Sequence, residues 1–331
     1  VTTKTKTLVT TRARGTALVL AASAFFATSG PLAKPAMAAG LTPQQVVSVR
    51  IGLAAVLLGV GVAVFSPRFL RVGRRDWRVI LGFGLFGVAG AQTMYFAGVS
   101  RLPVGIAMLL EFTSPLLVAL WIRFVRKTVL PAKAWAGTAV AVFGLAMVAQ
   151  VWDGLRLDTI GVLAGVASAI CAACYFLVGE HGLTTMHPLT MATYGLFVGA
   201  VILFVIAPPW TLPRDILVKP TPLGPVWTLL VAVAVLSTAI AYSVGMSALR
   251  HLPSTVVSVL SLAEPVIATA VAWAVLDEEL TVIQIMGGIT LLAGAFVVQR
   301  ASQPSAGQEL HPRPDDGTAI VAGSLSTPTK T

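Results

Sequence analysis

The chain has 331 residues, 56% of them hydrophobic and 11% charged, with a mean hydropathy of +0.87. A soluble domain carries about 25% charged residues, so the composition excludes an ordinary soluble enzyme or binding module and describes an all-α integral membrane protein. The net charge of +10 is not a nucleic-acid footprint, because its placement follows membrane topology.

Ten apolar runs are each about long enough to span a bilayer, near 15–36, 44–65, 78–99, 103–124, 131–151, 159–179, 189–208, 224–248, 253–276 and 281–299. They are too long, and lack the alternation, for a membrane barrel. Residues 1–14 read as a basic cytoplasmic tail. The next stretch imitates a secretory signal, with Ala36–Ala38 in the place of a cleavage site. The run continues past Pro31 and Pro35, however, and it is assigned as the first helix with an irregular end. Helix two opens at Pro43 and carries Arg50 about two turns in. Arg50 either snorkels to the near interface or faces an anion or carboxylate inside a cavity.

Lys4, Lys6, Arg12 and Arg14, Arg68 to Arg78, Arg123 to Lys133, Arg250 and Arg300 all fall on one side of this topology. Asp153, Asp158, Asp215, Asp277, Glu278 and Glu279 fall on the other. The positive-inside rule then puts both termini in the cytoplasm of a multi-pass plasma-membrane protein. Trp77, Trp135, Trp152, Trp210 and Trp227 stand at helix ends, as an aromatic belt requires. Cys171 and Cys174 form C-A-A-C within helix six and read as small apolar residues, since two thiols make half a zinc site. No metal ligand set, nucleophile motif or phosphate loop is recognisable, so no cofactor is expected. Residues 300–331, rich in Pro, Ser, Thr and Gly, read as a disordered cytoplasmic tail.

The chain repeats itself. At an offset of 150, Leu102-Pro103 matches Leu252-Pro253, Pro115 matches Pro265, Gly137 matches Gly287 and Gly144 matches Gly294. Nearer the start the offset is 145: Ala22-Ser23-Ala24 matches Ala167-Ser168-Ala169, and Pro43 matches Pro188. Tyr95 and Gly98 find Tyr242 and Gly245 at 147. Two units, 15–151 and 158–299, each hold five helices. Five is odd, so the second enters the membrane inverted, and proline-interrupted helices at corresponding positions place a solute site between the halves.

Helix four, P-V-G-I-A-M-L-L-E-F-T-S-P-L-L-V-A-L from Pro103 to Leu120, carries Glu111 and Pro115 near its middle. A carboxylate at that depth costs several kcal/mol unless it meets a partner or a watery cavity. Pro115 and Pro265, the two helix-break prolines, remove the amides that would bond the carbonyls of Glu111 and Ser261. Glu264 stands beside Pro265, where Ser114 stands in the first half. The two glutamates are candidates to bind a solute ammonium or carry a coupling proton; the alternative is structural pairing with Arg50, Lys34 or a helix end. Tyr95, Tyr242 and Gln92, the last three residues before Tyr95 on the same face, suit a cavity that orients a small polar solute or else bond neighbouring helices.

These helix-four residues, with L-S-T-A-I-A-Y-S-V-G-M-S-A-L-R-H-L-P (Leu236–Pro253), A-E-P-V-I-A (Ala263–Ala268) and L-D-E-E-L-T, make the chain resemble the EamA-type permeases of the drug/metabolite transporter superfamily. Within that superfamily it is most similar to the inner-membrane threonine/homoserine exporters. The resemblance implies a ten-helix basket of two EamA repeats, with helices three, four, eight and nine lining a cavity. It implies a secondary transporter, not an enzyme, that exports amino acids or related small metabolites by alternating access, with protons as a candidate coupling ion. Its partners are then the solute and the lipid bilayer, with no nucleic acid; oligomeric state is left open. A multidrug exporter is the alternative within the class, and a membrane scaffold or membrane enzyme the alternative outside it.

Overall fold

The computed structural model of the protein describes residues 2–102, 104–148, 158–276 and 281–301. The tail 302–331, read above as disordered, and the segments 149–157 and 277–280 lie outside the described residues. Ten helical segments follow in chain order: α1 (Thr2–Ala27 continued by Ser29–Ala38), α2 (Pro43–Phe65), α3 (Asp76–Val99), α4 (Val104–Glu111 and Ser114–Phe124), α5 (Ala132–Val148), α6 (Thr159–Gly182), α7 (Pro188–Ile206), α8 (Val226–Leu249), α9 (Ser254–Leu260 and Ala263–Leu276) and α10 (Val282–Ala301). Seven are long and apolar enough to cross a membrane, and α5, α9 and α10 are shorter apolar helices. Each lies on one of the ten apolar runs. α1 begins at Thr2, so the helix extends back through residues read as a tail; propagating an existing helix costs far less than nucleating one.

Local chemistry sets the helix starts. Thr42 caps α2 in a capping box with Gln45, the two bonds measuring 3.2 and 3.0 Å, and Pro43 fills the first turn. At the repeat-equivalent position, His187 caps α7 by accepting the Leu189 amide on Nδ1 at 3.3 Å, again ahead of a proline. Asp158 caps α6 through the Gly161 amide, 2.8 Å away.

Three helices are broken, each just before a proline. In α1 the turn falls at Thr28, three residues before Pro31. In α4 it falls at Phe112–Thr113 before Pro115, and in α9 at Ser261–Leu262 before Pro265. A proline without an amide leaves the carbonyl four residues back without its helical donor, and short bonds tighten the turn beside it. The Thr113 amide and hydroxyl both reach the Leu110 carbonyl, at 3.2 and 2.6 Å. The Ser261 carbonyl, expected to be left open by Pro265, accepts from the Glu264 amide at 2.9 Å. A tight three-residue turn reaches the oxygen that the proline cannot.

The inversion of the repeats is visible where α5 meets α10. A Cβ added to Gly144 would fall 2.3 Å from the Leu291 amide nitrogen, and one on Gly294 would fall 2.4 Å from that of Ala141. Gly144 and Gly294 are repeat equivalents, as are Ala141 and Leu291, so the two contacts are images of each other. Gly137 approaches Gly294 while Gly144 approaches Gly287, which makes the two equivalent helices antiparallel. A second symmetric pair occurs at the other helices: Gly15 of α1 against Leu252, and Gly161 of α6 against Leu102, each with a Cβ-to-Cγ approach of 2.7 Å. Close backbone approach over small residues is how membrane helices gain packing energy without a hydrophobic driving force.

The interior is a continuous apolar cluster through Val19, Ile51, Phe83, Leu145, Met191, Met246 and Leu262. The outer surface is equally apolar, with Phe65, Phe143, Val205 and Ile289 exposed, as lipid-facing positions should be. At the basic end of the bundle Arg126, after α4, donates to Glu180 of α6. Glu180 also accepts from the Ser254 amide (3.0 Å) and hydroxyl (3.2 Å) at the start of α9. This latch joins the two broken helices from different repeats through α6.

Candidate functional site

Two helices that carry candidate residues are not regular. α3 widens into a π-helical stretch over Phe83–Gly90, and α8 does the same over Val235–Ile240. Such stretches are rare and gather at functional sites, and here they occupy corresponding places in the two repeats. Gly84 and Gly87 let α3 press on its neighbours, a Cβ on Gly84 meeting Val198 at 2.5 Å. In α8 the Thr238 hydroxyl donates to the Val233 carbonyl five residues back, at 3.1 Å.

Arg50 projects from α2 and is only 8% exposed. Its Nη1 donates to Ser29 Oγ, in the turn where α1 is broken; the residue therefore turns inward and does not snorkel. Thr28, beside Ser29, shares a 2.7 Å hydrogen bond with Ser237 Oγ inside the π-helical stretch of α8. The break of α1 is thus fastened on one side to α8 and on the other to Arg50.

Around Arg50 stand the other charged and hydroxylic candidates. Glu264, Glu111, Tyr242 and Tyr95 are all within electrostatic reach of the guanidinium. Among the described residues neither carboxylate forms a direct ion pair with it. Glu111 ends the first half of α4, at the carbonyl-rich end of a helix. Glu264 lies in the first turn of the second half of α9, at the amide-rich end. Both glutamates keep part of their surface accessible. Tyr242 is 4% exposed, packs edge-on against Phe26 and Tyr175, and lies beside the Gln92 side chain. Gln92 therefore reaches across to a tyrosine of the other repeat, and Tyr95 meets Phe96 edge-on.

Two contributors escaped the sequence reading. Ser168 of α6, fully buried, donates its hydroxyl to the Ala91 carbonyl at 3.2 Å and lies beside the Glu111 carboxyl. The Ala-Ser-Ala match with residues 22–24 had marked this position as part of the repeat without indicating a role. Tyr175, also on α6, packs against Phe83 at a tilt and edge-on against Tyr242. Its repeat position holds Gly30, so symmetry gave no hint of it. Cys171 and Cys174 are free thiols, and among the described residues no group of His, Cys, Asp and Glu has the makings of a metal site.

The arrangement is a buried polar cluster between two inverted five-helix units: one guanidinium, two carboxylates, hydroxyls and an amide, at the level of the helix breaks. Ionisable groups held inside a membrane protein are candidates for a solute or ion path, and the fold is that of a polytopic helical membrane protein. The profile of the EamA-like transporter family matches residues 13–150 and again 159–300, and the chain belongs to that family. The threonine/homoserine exporter RhtA of Salmonella typhimurium is 30% identical over 263 residues, covering 76% of this chain and 80% of that protein. The protein of the same name from Escherichia coli K12 is 30% identical over 255 residues, with the same coverages. An uncharacterized transporter of Bacillus subtilis, YyaM, is 23% identical over 261 residues, 77% of this chain and 84% of that one. A solved crystal structure superposes with a TM-score of 0.72 at 18% identity, covering 87% of this chain and 99% of that one, which speaks to the fold. The protein is a multi-pass membrane transporter and not an enzyme.

Proposed function

We propose that the protein exports amino acids of the threonine/homoserine kind, or closely related small metabolites, from the cytoplasm by alternating access. The observation that carries this reading is the enclosed cluster of Arg50, Glu111 and Glu264. It offers a cation and two carboxylates together, the complement of a solute that bears both an ammonium and a carboxylate. Gln92, Tyr95 and Tyr242 supply neutral donors and acceptors to orient such a solute. The names of the RhtA relatives support the same substrate class. Glu111 and Glu264 are the candidates for carrying a coupling proton, and the breaks before Pro115 and Pro265 are the hinges about which α4 and α9 rearrange. The concentration of arginines at the end of the bundle that holds Arg68–Arg78 and Arg126 supports a cytoplasmic location for that end and for both termini.

Uptake into inside-out membrane vesicles tests this directly, using labelled threonine, homoserine and an aromatic amino acid with and without an imposed proton gradient. The expected result is saturable uptake of threonine and homoserine, accelerated when the vesicle interior is acid. Folded protein that takes up none of the three but does take up a lipophilic cation would overturn the amino-acid assignment in favour of a multidrug exporter.

A further inference from the structure

We propose that Arg50 binds the carboxylate of the transported solute side-on, through Nε and Nη2, and so selects small zwitterions against amines and dianions. The proposal rests on the amino-acid reading above and deepens it by giving one recognition element to one residue.

Arg50 is the eighth residue of α2, about 10 Å along the helix from its start, and its side chain is withdrawn from the surface. A buried guanidinium has five N–H donors, and leaving them unpaired is costly. Nη1 is engaged by Ser29 Oγ. Nε is buried and has no hydrogen-bond partner among the described residues, and no other bond of theirs engages Nη2. Nε–H and the Nη2 hydrogen syn to it form the parallel fork that matches two carboxylate oxygens. The bond to Ser29 fixes the guanidinium from the opposite edge, so the open fork is held in orientation before a solute arrives. Preorganisation of this kind lowers the entropic cost of binding.

A purely structural counter-ion would be expected to close on Glu111 or Glu264. Both lie within electrostatic reach and neither is directly paired with Arg50 among the described residues. Their charges also define what the fork accepts. A solute carrying two negative charges, such as a phosphate ester or a dicarboxylate, would meet two carboxylates beside one cation, and like charges at such range are repelled. A solute with one carboxylate and one ammonium satisfies both signs. An amine leaves the fork empty and a carboxamide sets one N–H donor against it, and a site built to hydrogen-bond a group rejects the analogue that lacks it.

The test compares matched solutes first, so that it does not depend on a variant. Threonine, its carboxamide and its decarboxylated amine are each used to compete with labelled threonine uptake by the wild-type protein. The carboxamide and the amine are expected to compete at least tenfold more weakly than threonine. Arg50→Lys, which keeps the charge and loses the fork, is expected to raise the KM for threonine at least tenfold in protein that elutes normally on size exclusion. Equal competition by the carboxamide, or an unchanged KM in Arg50→Lys, overturns the proposal. If the wild-type protein takes up no amino acid, thermal stabilisation of the purified protein is read with the corresponding 2-hydroxy acid and its amide. Stabilisation by the acid alone would then keep the Arg50 assignment while the amino-acid reading falls; equal effects would overturn both.

Discussion

The broken helices α4 and α9 are the same element in two repeats, and they differ at the positions that matter. At the end of the first half, α4 has Glu111 where α9 has Ser261; at the start of the second half, α4 has Ser114 where α9 has Glu264. Glutamate and serine have exchanged places across the break. The proline, the break and the surrounding glycine contacts are kept in register, so the scaffold is nearly two-fold while its chemistry is not. Glu111 stands at a helix end rich in carbonyls, beside Ser168, and Glu264 at an end rich in amides, while the guanidinium of Arg50 lies within reach of both. The frame is close to symmetric and the charge pattern across the breaks is not.

The most damaging way to break this relation is to separate the repeats. Gly144→Val places a side chain against the Leu291 backbone at the α5–α10 seam, where neither helix can yield. A loss of about 3 kcal/mol or more in stability is expected, read as little or no folded protein on size exclusion; a normal yield would show that the seam is not needed. Next comes charge. Glu111→Gln is expected to lower threonine uptake on the order of 100-fold, the scale of removing one member of a buried charge cluster, with the protein still folded. Restoring an amide with Pro115→Ala gives the Glu111 carbonyl its helical donor and stiffens the hinge. The maximal uptake rate should fall roughly tenfold, equivalent to about 1.4 kcal/mol on the barrier, while the thermal midpoint rises.

Smaller changes sharpen the comparison. Ser168→Ala removes the hydroxyl that bonds the Ala91 carbonyl beside Glu111 and should cost about 1 kcal/mol, roughly a fivefold loss of uptake. Ser23→Ala at the repeat-equivalent position, which corresponds to the side that carries Ser261, should leave uptake near the wild-type rate. The smallest effect concerns the helix caps, threonine in the first repeat and histidine in the second. Burial, then Arg250 and Arg68, lowers the proton affinity of His187 below the ordinary imidazole value. A group that binds its proton less tightly when folded contributes stability that is full above the unfolded pKa of about 6.5 and is lost as the pH falls below it. The thermal midpoint in detergent should therefore slip modestly from pH 7 to 5.5, and His187→Asn should flatten that slope. An unchanged slope in the variant would assign the effect elsewhere.

The ten helices were legible because the apolar length needed to cross a bilayer is nearly invariant, and because Pro43, Pro115, Pro188 and Pro265 hold register in a way that common residues do not. The outcome at each break was half legible. Proline removes a donor by covalent necessity, so the breaks followed, but nothing in the sequence says that the Glu264 amide turns back to the Ser261 carbonyl. The π-helical stretches of α3 and α8 left no signal, since their extra residue per turn is a compromise with the helices packed against them. Gln92 and Tyr95 share a face by spacing, yet spacing does not name the helix opposite, and Gln92 meets Tyr242. Arg50 had two readings on sequence alone, interface or interior; the choice depends on Ser29, which a bend in another helix brings to it.

The central claim is that the carboxylates beside the two breaks belong to the transport site and are not interchangeable. The direct measurement is threonine uptake into inside-out vesicles by wild type, Glu111→Gln and the exchanged variant Glu111→Ser/Ser261→Glu, with each shown to be folded. The account predicts that uptake collapses in Glu111→Gln and does not return when the glutamate is moved to the equivalent place in α9. Wild-type uptake in Glu111→Gln, or full recovery in the exchanged variant, would contradict it.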